Sequence, residues 1–177
     1  MRLRAVAADT PPIDPVRVLE VLERHGVRYV LIGGVAANLH GYPLPTEDVD
    51  ITPATDAPNL ERLAGALREM GARLRVAGEP AGVPFEVDAR ALGRAEVWTL
   101  VTDLGDVDVI ALPDGTQGYD DLRRDASHEE LAPDLTVLVA SLPDIIRSKE
   151  AANRPKDQAQ MPALRETLDL RRRREGG

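Results

Sequence analysis

Asp48-Val49-Asp50-Ile51 sets two carboxylates two positions apart in a run that alternates acidic with apolar residues. In an extended strand such residues point to the same side, so Asp48 and Asp50 share one face while Val49 and Ile51 share the other. The apolar pair can pack against helices, which leaves the carboxylates side by side, where like charges repel and raise each other's pKa. Oxygen-only ligands held close on a rigid strand suit a hard divalent cation, Mg²⁺ or Mn²⁺. A bare Asp-x-Asp also occurs as an ordinary solvated strand face. A second instance, Gly105-Asp106-Val107-Asp108-Val109-Ile110, repeats the alternation. Asp106 lies beside a turn, and Asp108 sits deeper, ahead of Val109, Ile110, Ala111 and Leu112. A carboxylate at that depth usually has a partner or a metal. If the second strand lies beside the first, Asp108 joins Asp48 and Asp50.

Gly33-Gly34 follows an apolar run and precedes a helical one. Free N–H groups at a strand-to-helix turn make an anion site, and glycines let a phosphate approach the backbone closely; a plain tight turn is the other reading. Of 22 basic residues only Lys149 and Lys156 are lysine. Lysine meets phosphate as a compact point charge, where arginine offers a planar fork. Lys149, Asn153 and Lys156 share a helix face if the helix runs through Pro155, with Arg147 and Arg154 available to the same patch. The other reading is a solvated face. His25, His40 and His128 are scattered and none is read as catalytic.

The elements that must position these residues follow from periodicity and punctuation. Asp14 and Pro15 open a helix to His25, and Val27–Ile32 is a buried strand. Val35–His40 is a short helix, Asp48–Thr52 a strand, and Asp56–Met70 an amphipathic helix closed by Gly71. Ala72–Leu92 reads as loops with one strand. Val97–Val101 and Val107–Leu112 are strands joined around Asp103-Leu104-Gly105. Gly118–Arg124 is a helical turn and Thr136–Ala140 a last strand. Ser141 opens a helix that Pro155 breaks or restarts, and Ala163–Leu170 continues in helical style. The expected fold class is α/β (α+β), a mixed twisted sheet flanked by helices with a C-terminal helical appendage. The boundaries are a flexible N-terminus at 1–13, a core at 14–140, C-terminal helices packed on it at 141–170 and a disordered tail at 171–177.

The chain has 177 residues and is 43% hydrophobic, enough to bury a core. Aromatic residues are 3%, so that core is aliphatic. With no cysteine, disulfides and thiolate metal sites are excluded. The N-terminus lacks a signal-peptide apolar run and nothing approaches a membrane span, so a soluble, cytoplasmic protein is expected. A net charge of −8 argues against a broadly basic surface for grasping nucleic acid.

The stretch VLIGGVAANLHGYPLPTEDVDIT, Val30 to Thr52, resembles the signature of the DNA polymerase β-like nucleotidyltransferase superfamily: a strand, a Gly-Gly or Gly-Ser turn, a short helix and an apolar-flanked Asp-x-Asp. Gly33 and Gly34 match the turn, Asp48 and Asp50 the paired metal ligands, and Asp108 best matches the third carboxylate. Thr46-Glu47-Asp48 is similar to the T-x-D lead-in of small bacterial members, although Leu44 and Pro45 stand where many have an arginine. Ile145–Lys149 and Arg154–Asp157 more loosely resemble segments that close the small nucleotidyltransferases of toxin–antitoxin and abortive-infection systems. The resemblance implies Mg²⁺- or Mn²⁺-dependent transfer of an NMP from a nucleoside triphosphate to a hydroxyl, with release of pyrophosphate. It implies Asp48, Asp50 and Asp108 as catalytic residues and metal ligands, and Gly33, Gly34, Lys149, Lys156 and Arg147 as nucleotide contacts. The acceptor is a protein, an RNA end or a small molecule, and a cognate antitoxin is an implied partner. Two alternatives stand beside it: a catalytically silent module that binds nucleotide or a partner, and an antibiotic-modifying nucleotidyltransferase.

Overall fold

A computed structural model describes residues 13–177. The Asp14 side chain accepts the Arg17 N–H at 3.2 Å and caps α1 (Pro15–Arg24), whose Val18, Leu19, Val21 and Leu22 are buried. Tyr29–Ile32 is β1, buried throughout. Gly33–Leu39 is α2, so the two glycines are the first residues of the helix instead of a turn before it. Asp48–Pro53 is β2, and α3 (Ala57–Glu69) is capped by Asp56, which accepts from the Asn59 N–H.

The stretch 72–92, expected as loops with one strand, holds two strands and a short helix: β3 (Arg73–Val76), β4 (Glu79–Val83) and α4 (Ala89–Leu92). The strands are short and largely exposed, and Pro80 and Gly82 interrupt their pattern. Pro is tolerated there because β4 is an edge strand with one side unpaired. β5 (Val97–Thr102) and β6 (Gly105–Ile110) form the expected hairpin. α5 is Tyr119–Leu122. A strand the sequence did not announce, β7 (Ser127–Ala132), precedes β8 (Leu135–Val139) at the opposite edge, where its charged residues replace an apolar rhythm.

Ser141 caps α6 (Leu142–Ala152) by accepting the Asp144 N–H, and Asn153, at a left-handed φ of 50°, ends it. α7 restarts at Pro155 and runs to Glu175. The helix therefore restarts at Pro155, as expected, and the condition for Lys149, Asn153 and Lys156 to share one continuous helix face is not met. The disordered tail expected at 171–177 is corrected: Arg171 meets the His40 ring at 2.8 Å and Glu175 at 3.5 Å, which holds the last turns. Of the expected flexible N-terminus, residues 1–12 lie outside the described residues, while Ile13 packs beside Gly105.

The eight strands form one mixed sheet in the order β4-β3-β5-β6-β2-β1-β8-β7. β2 is antiparallel to β1 and parallel to β6, so the end of β1 and the starts of β2 and β6 meet at one edge in the middle of the sheet. Val49, Ile51, Val107 and Val109 project to the opposite face and join Leu60, Leu63 and Leu67 of α3 in the core. That burial fixes the register, since a slip of one residue would bring the carboxylates into the core. No helix among the described residues is long and apolar enough to cross a membrane.

Candidate metal and nucleotide site

β2 and β6 pair in parallel with Asp48 opposite Asp106 and Asp50 opposite Asp108. Four carboxylates therefore stand on one face of two neighbouring strands. Three of them, Asp48, Asp50 and Asp108, offer oxygens that all lie within 4.8 Å of one another. Such a set of hard oxygen donors from a rigid sheet fits a divalent cation of the Mg²⁺ type. Asp106 falls outside it.

Asp50 lies innermost. Burial, then the charges of Asp48 and Asp108, push its pKa up to about 7 against the opposing pull of Lys149 and Lys156. Burial also raises Asp108, with Asp48 and Asp106 adding to the rise and Arg75 opposing it. Excess negative charge that the protein only partly compensates is what a cation would relieve.

The glycines are required by this packing. A Cβ on Gly33 would stand 2.1 Å from Asp50 Oδ2, and its φ of 66° is itself unfavourable for other residues. A Cβ on Gly34 would stand 2.5 Å from Thr46 Oγ1. Thr46 in turn donates to the Asp48 backbone carbonyl at 3.2 Å and approaches Asp48 Oδ1 at 3.3 Å. The start of α2 thus lies directly against the carboxylates, and no side chain among the described residues caps it.

The α6–α7 turn closes the other side. Lys149, Lys156 and Arg154 all lie near enough to Asp50 to interact with its charge. Lys149 is not free, however: its Nζ meets Gln160 Oε1 at 2.9 Å and Asp157 Oδ1 at 3.4 Å. Asp157 is 1% exposed and also binds Arg154 Nε at 2.7 Å. Arg147, expected among the nucleotide contacts, is engaged elsewhere, by Asp121 at 2.9 Å and Asp144 at 3.0 Å.

The sequence reading missed Arg75. From β3 its Nη2 donates to Asp108 Oδ1 at 2.8 Å and to the Leu100 carbonyl at 3.3 Å, and its Nε lies 3.1 Å from Asp106 Oδ2. Only knowledge that β3 lies two strands from β6 would have found it.

No protein-family model and no curated protein matches the chain. Among solved structures, the lincosamide antibiotic adenylyltransferase LnuA in its lincomycin-bound form superposes with a TM-score of 0.59 at 14% identity, over 89% of this chain and 99% of that one. A candidate nucleotidyltransferase from Thermotoga maritima gives 0.49 at 18% identity, over 88% and 90%. At these identities the likeness is one of architecture, and it agrees with the central strands, the glycine-led helix and the three carboxylates: the chain has a nucleotidyltransferase fold.

Proposed function

We propose that the protein transfers a nucleoside monophosphate from a nucleoside triphosphate to a hydroxyl acceptor. The observation that carries this reading is the convergence of Asp48, Asp50 and Asp108 within 4.8 Å at one end of a nucleotidyltransferase-fold sheet. These three side chains would hold Mg²⁺ or Mn²⁺. The chemistry supplied by the bound ions is alignment of the attacking and leaving oxygens and neutralisation of the charge that grows between them.

The chain's own residues do the rest. The N–H groups at Gly33 and Gly34 face the triphosphate, an arrangement supported by the uncapped start of α2. Lys156 and Arg154 approach from the α6–α7 side and bear the charge of the departing pyrophosphate, with Lys149 holding the turn through Asp157. The acceptor oxygen forms a bond to the α-phosphorus as the bond from that phosphorus to the bridging oxygen breaks. Asp108 accepts the hydroxyl proton, and its upward-shifted pKa suits a base.

The acceptor that fits best is a small molecule or a protein, because the net charge of −8 disfavours RNA. Antibiotic modification is the small-molecule form of this reading, and LnuA in its lincomycin-bound form shares the architecture. Action as the toxin of a toxin–antitoxin pair, held by a cognate antitoxin, is the protein-directed form. A silent nucleotide-binding module is the second reading, and the observation favouring it is the engagement of Lys149 and Asp108 by internal partners.

The test is incubation with each α-labelled nucleoside triphosphate, Mg²⁺ or Mn²⁺, and separate panels of antibiotics, RNA and cell proteins. The reading expects labelled acceptor and released pyrophosphate, both lost in Asp48→Asn/Asp50→Asn. Nucleotide binding without pyrophosphate release in any panel would establish the silent module instead.

A further inference from the structure

Arg75 reaches the site from an unusual direction. The strand order β3-β5-β6-β2 puts β5 and β6 between Arg75 and the Asp48–Asp50 pair. The guanidinium crosses the face of β5, where it binds the Leu100 carbonyl, and stops at β6. Asp108 therefore stands between Arg75 on its β5 side and Asp50, its register partner, on its β2 side. The contact to Asp108 is a formed hydrogen bond of 2.8 Å. The approach to Asp106 at 3.1 Å lacks hydrogen-bond alignment, and Asp106 Oδ1 has no partner among the described residues. Asp108 is the better buried of the two, with a side chain 15% exposed against 24%.

We propose that Arg75 is a positioning residue for the third metal ligand: it grips Asp108 Oδ1 from the β5 side and turns the other oxygen toward Asp48 and Asp50. The inference rests on the metal-centre reading given above. A carboxylate on a free χ2 axis samples many orientations, and fixing one oxygen with a charge-assisted hydrogen bond leaves the second with a defined direction. Ligating carboxylates are commonly held in this way, and loss of the outer partner weakens metal binding by about 10–100-fold. Asp48 and Asp50 lie on β2, beyond β6 from Arg75, so the guanidinium meets Asp108 from the side away from them. The same clamp explains why Asp108, and not its neighbour Asp106, belongs to the triad.

The experiment is titration of the full chain with Mn²⁺, following the loss of the free-ion EPR signal, with a thermal melt of each variant as a fold control. Arg75→Ala is expected to weaken Mn²⁺ binding by about 10–100-fold. Arg75→Lys should restore part of it, since an ammonium offers a donor without the fork. Arg75→Gln, which keeps an N–H donor on a shorter stem, serves if Arg75→Ala does not fold. In an Asp108→Asn background the Arg75 substitution should add nothing, whereas a merely structural role would add its full effect again. Unchanged or tighter binding in folded Arg75→Ala, tighter meaning that the guanidinium competes with the ion, would overturn the inference. Failure of the metal-centre reading looks different: Asp50→Asn and Asp108→Asn would then bind Mn²⁺ as the wild type does.

Discussion

The two Asp-x-Asp strands are near copies of each other and lie in register on one face of the sheet, yet their surroundings diverge. The β2 pair faces the start of α2 on one side and, at Asp50, the lysines of α6 and α7 at longer range. The β6 pair has an arginine in direct contact. Among the described residues no cation touches the first pair, while the second is partly compensated before any ligand arrives. The same short pattern therefore supplies two kinds of group, and neighbouring strands decide which. In the proposed reading Asp48 and Asp50 would accept a cation, and Asp108 would be an oriented third ligand and base.

The largest expected effect breaks the β2 half. Asp50→Asn should lower nucleotidyl transfer by at least about 10²–10³-fold, on the scale of losing one electrostatic stabiliser, in a steady-state assay of pyrophosphate release. Without metal the variant should also melt higher than wild type at pH 8, because a buried charge is gone. Next, the β6 half can be split. Asp108→Asn should approach the loss seen for Asp50→Asn, while Asp106→Asn should change the rate less than about threefold, since only Asp108 reaches the triad. Equal losses at Asp106 and Asp108 would mean that the whole β6 pair acts as one charge.

Gly33→Ala tests the contact between α2 and the β2 pair. A left-handed φ at a non-glycine residue costs about 1–2 kcal/mol, and the added methyl must displace Asp50. A denaturant melt should show a loss of at least that size together with weaker metal binding. Gly41→Ala, also at positive φ but with no atom nearer than 3.9 Å to its Cβ, should cost stability and leave metal binding intact.

A smaller effect is the pH dependence. Asp50's folded pKa, about 7, lies above its unfolded value. As pH rises from about 4 toward 7, the unfolded chain ionises first, so the metal-free protein loses stability across that window and then levels off. A metal takes the ionised form, so the increase in Tm produced by Mn²⁺ should grow over the upper part of the same window. Asp50→Asn should flatten both trends.

Much of this arrangement was legible in the chain. Asp14, Asp56 and Ser141 cap the helices their positions announced, and the alternation around Asp48–Asp50 and Asp106–Asp108 named both site strands. Those signals are local, carried by burial on one face and by caps at fixed offsets. The parts that were not legible depend on distant residues. β7 is an edge strand whose charged residues hide the strand rhythm. Arg75 sits in a short, half-buried strand and meets Asp108 only because β5 and then β6 follow β3 in the sheet. Lys149 was singled out by its rarity, but its closest partner is Gln160, one turn into a helix that Pro155 restarts.

The central claim is most directly tested by a crystal structure of the wild-type chain with Mn²⁺ and a non-hydrolysable nucleoside triphosphate analogue, using anomalous scattering to place the ions. The account predicts an anomalous peak bonded by Asp48 and Asp50, oxygens of Asp108 within reach of it, and the triphosphate lying over Gly33 and Gly34. Nucleotide bound with Mn²⁺ elsewhere on the protein, or with these three carboxylates free of metal, would contradict it.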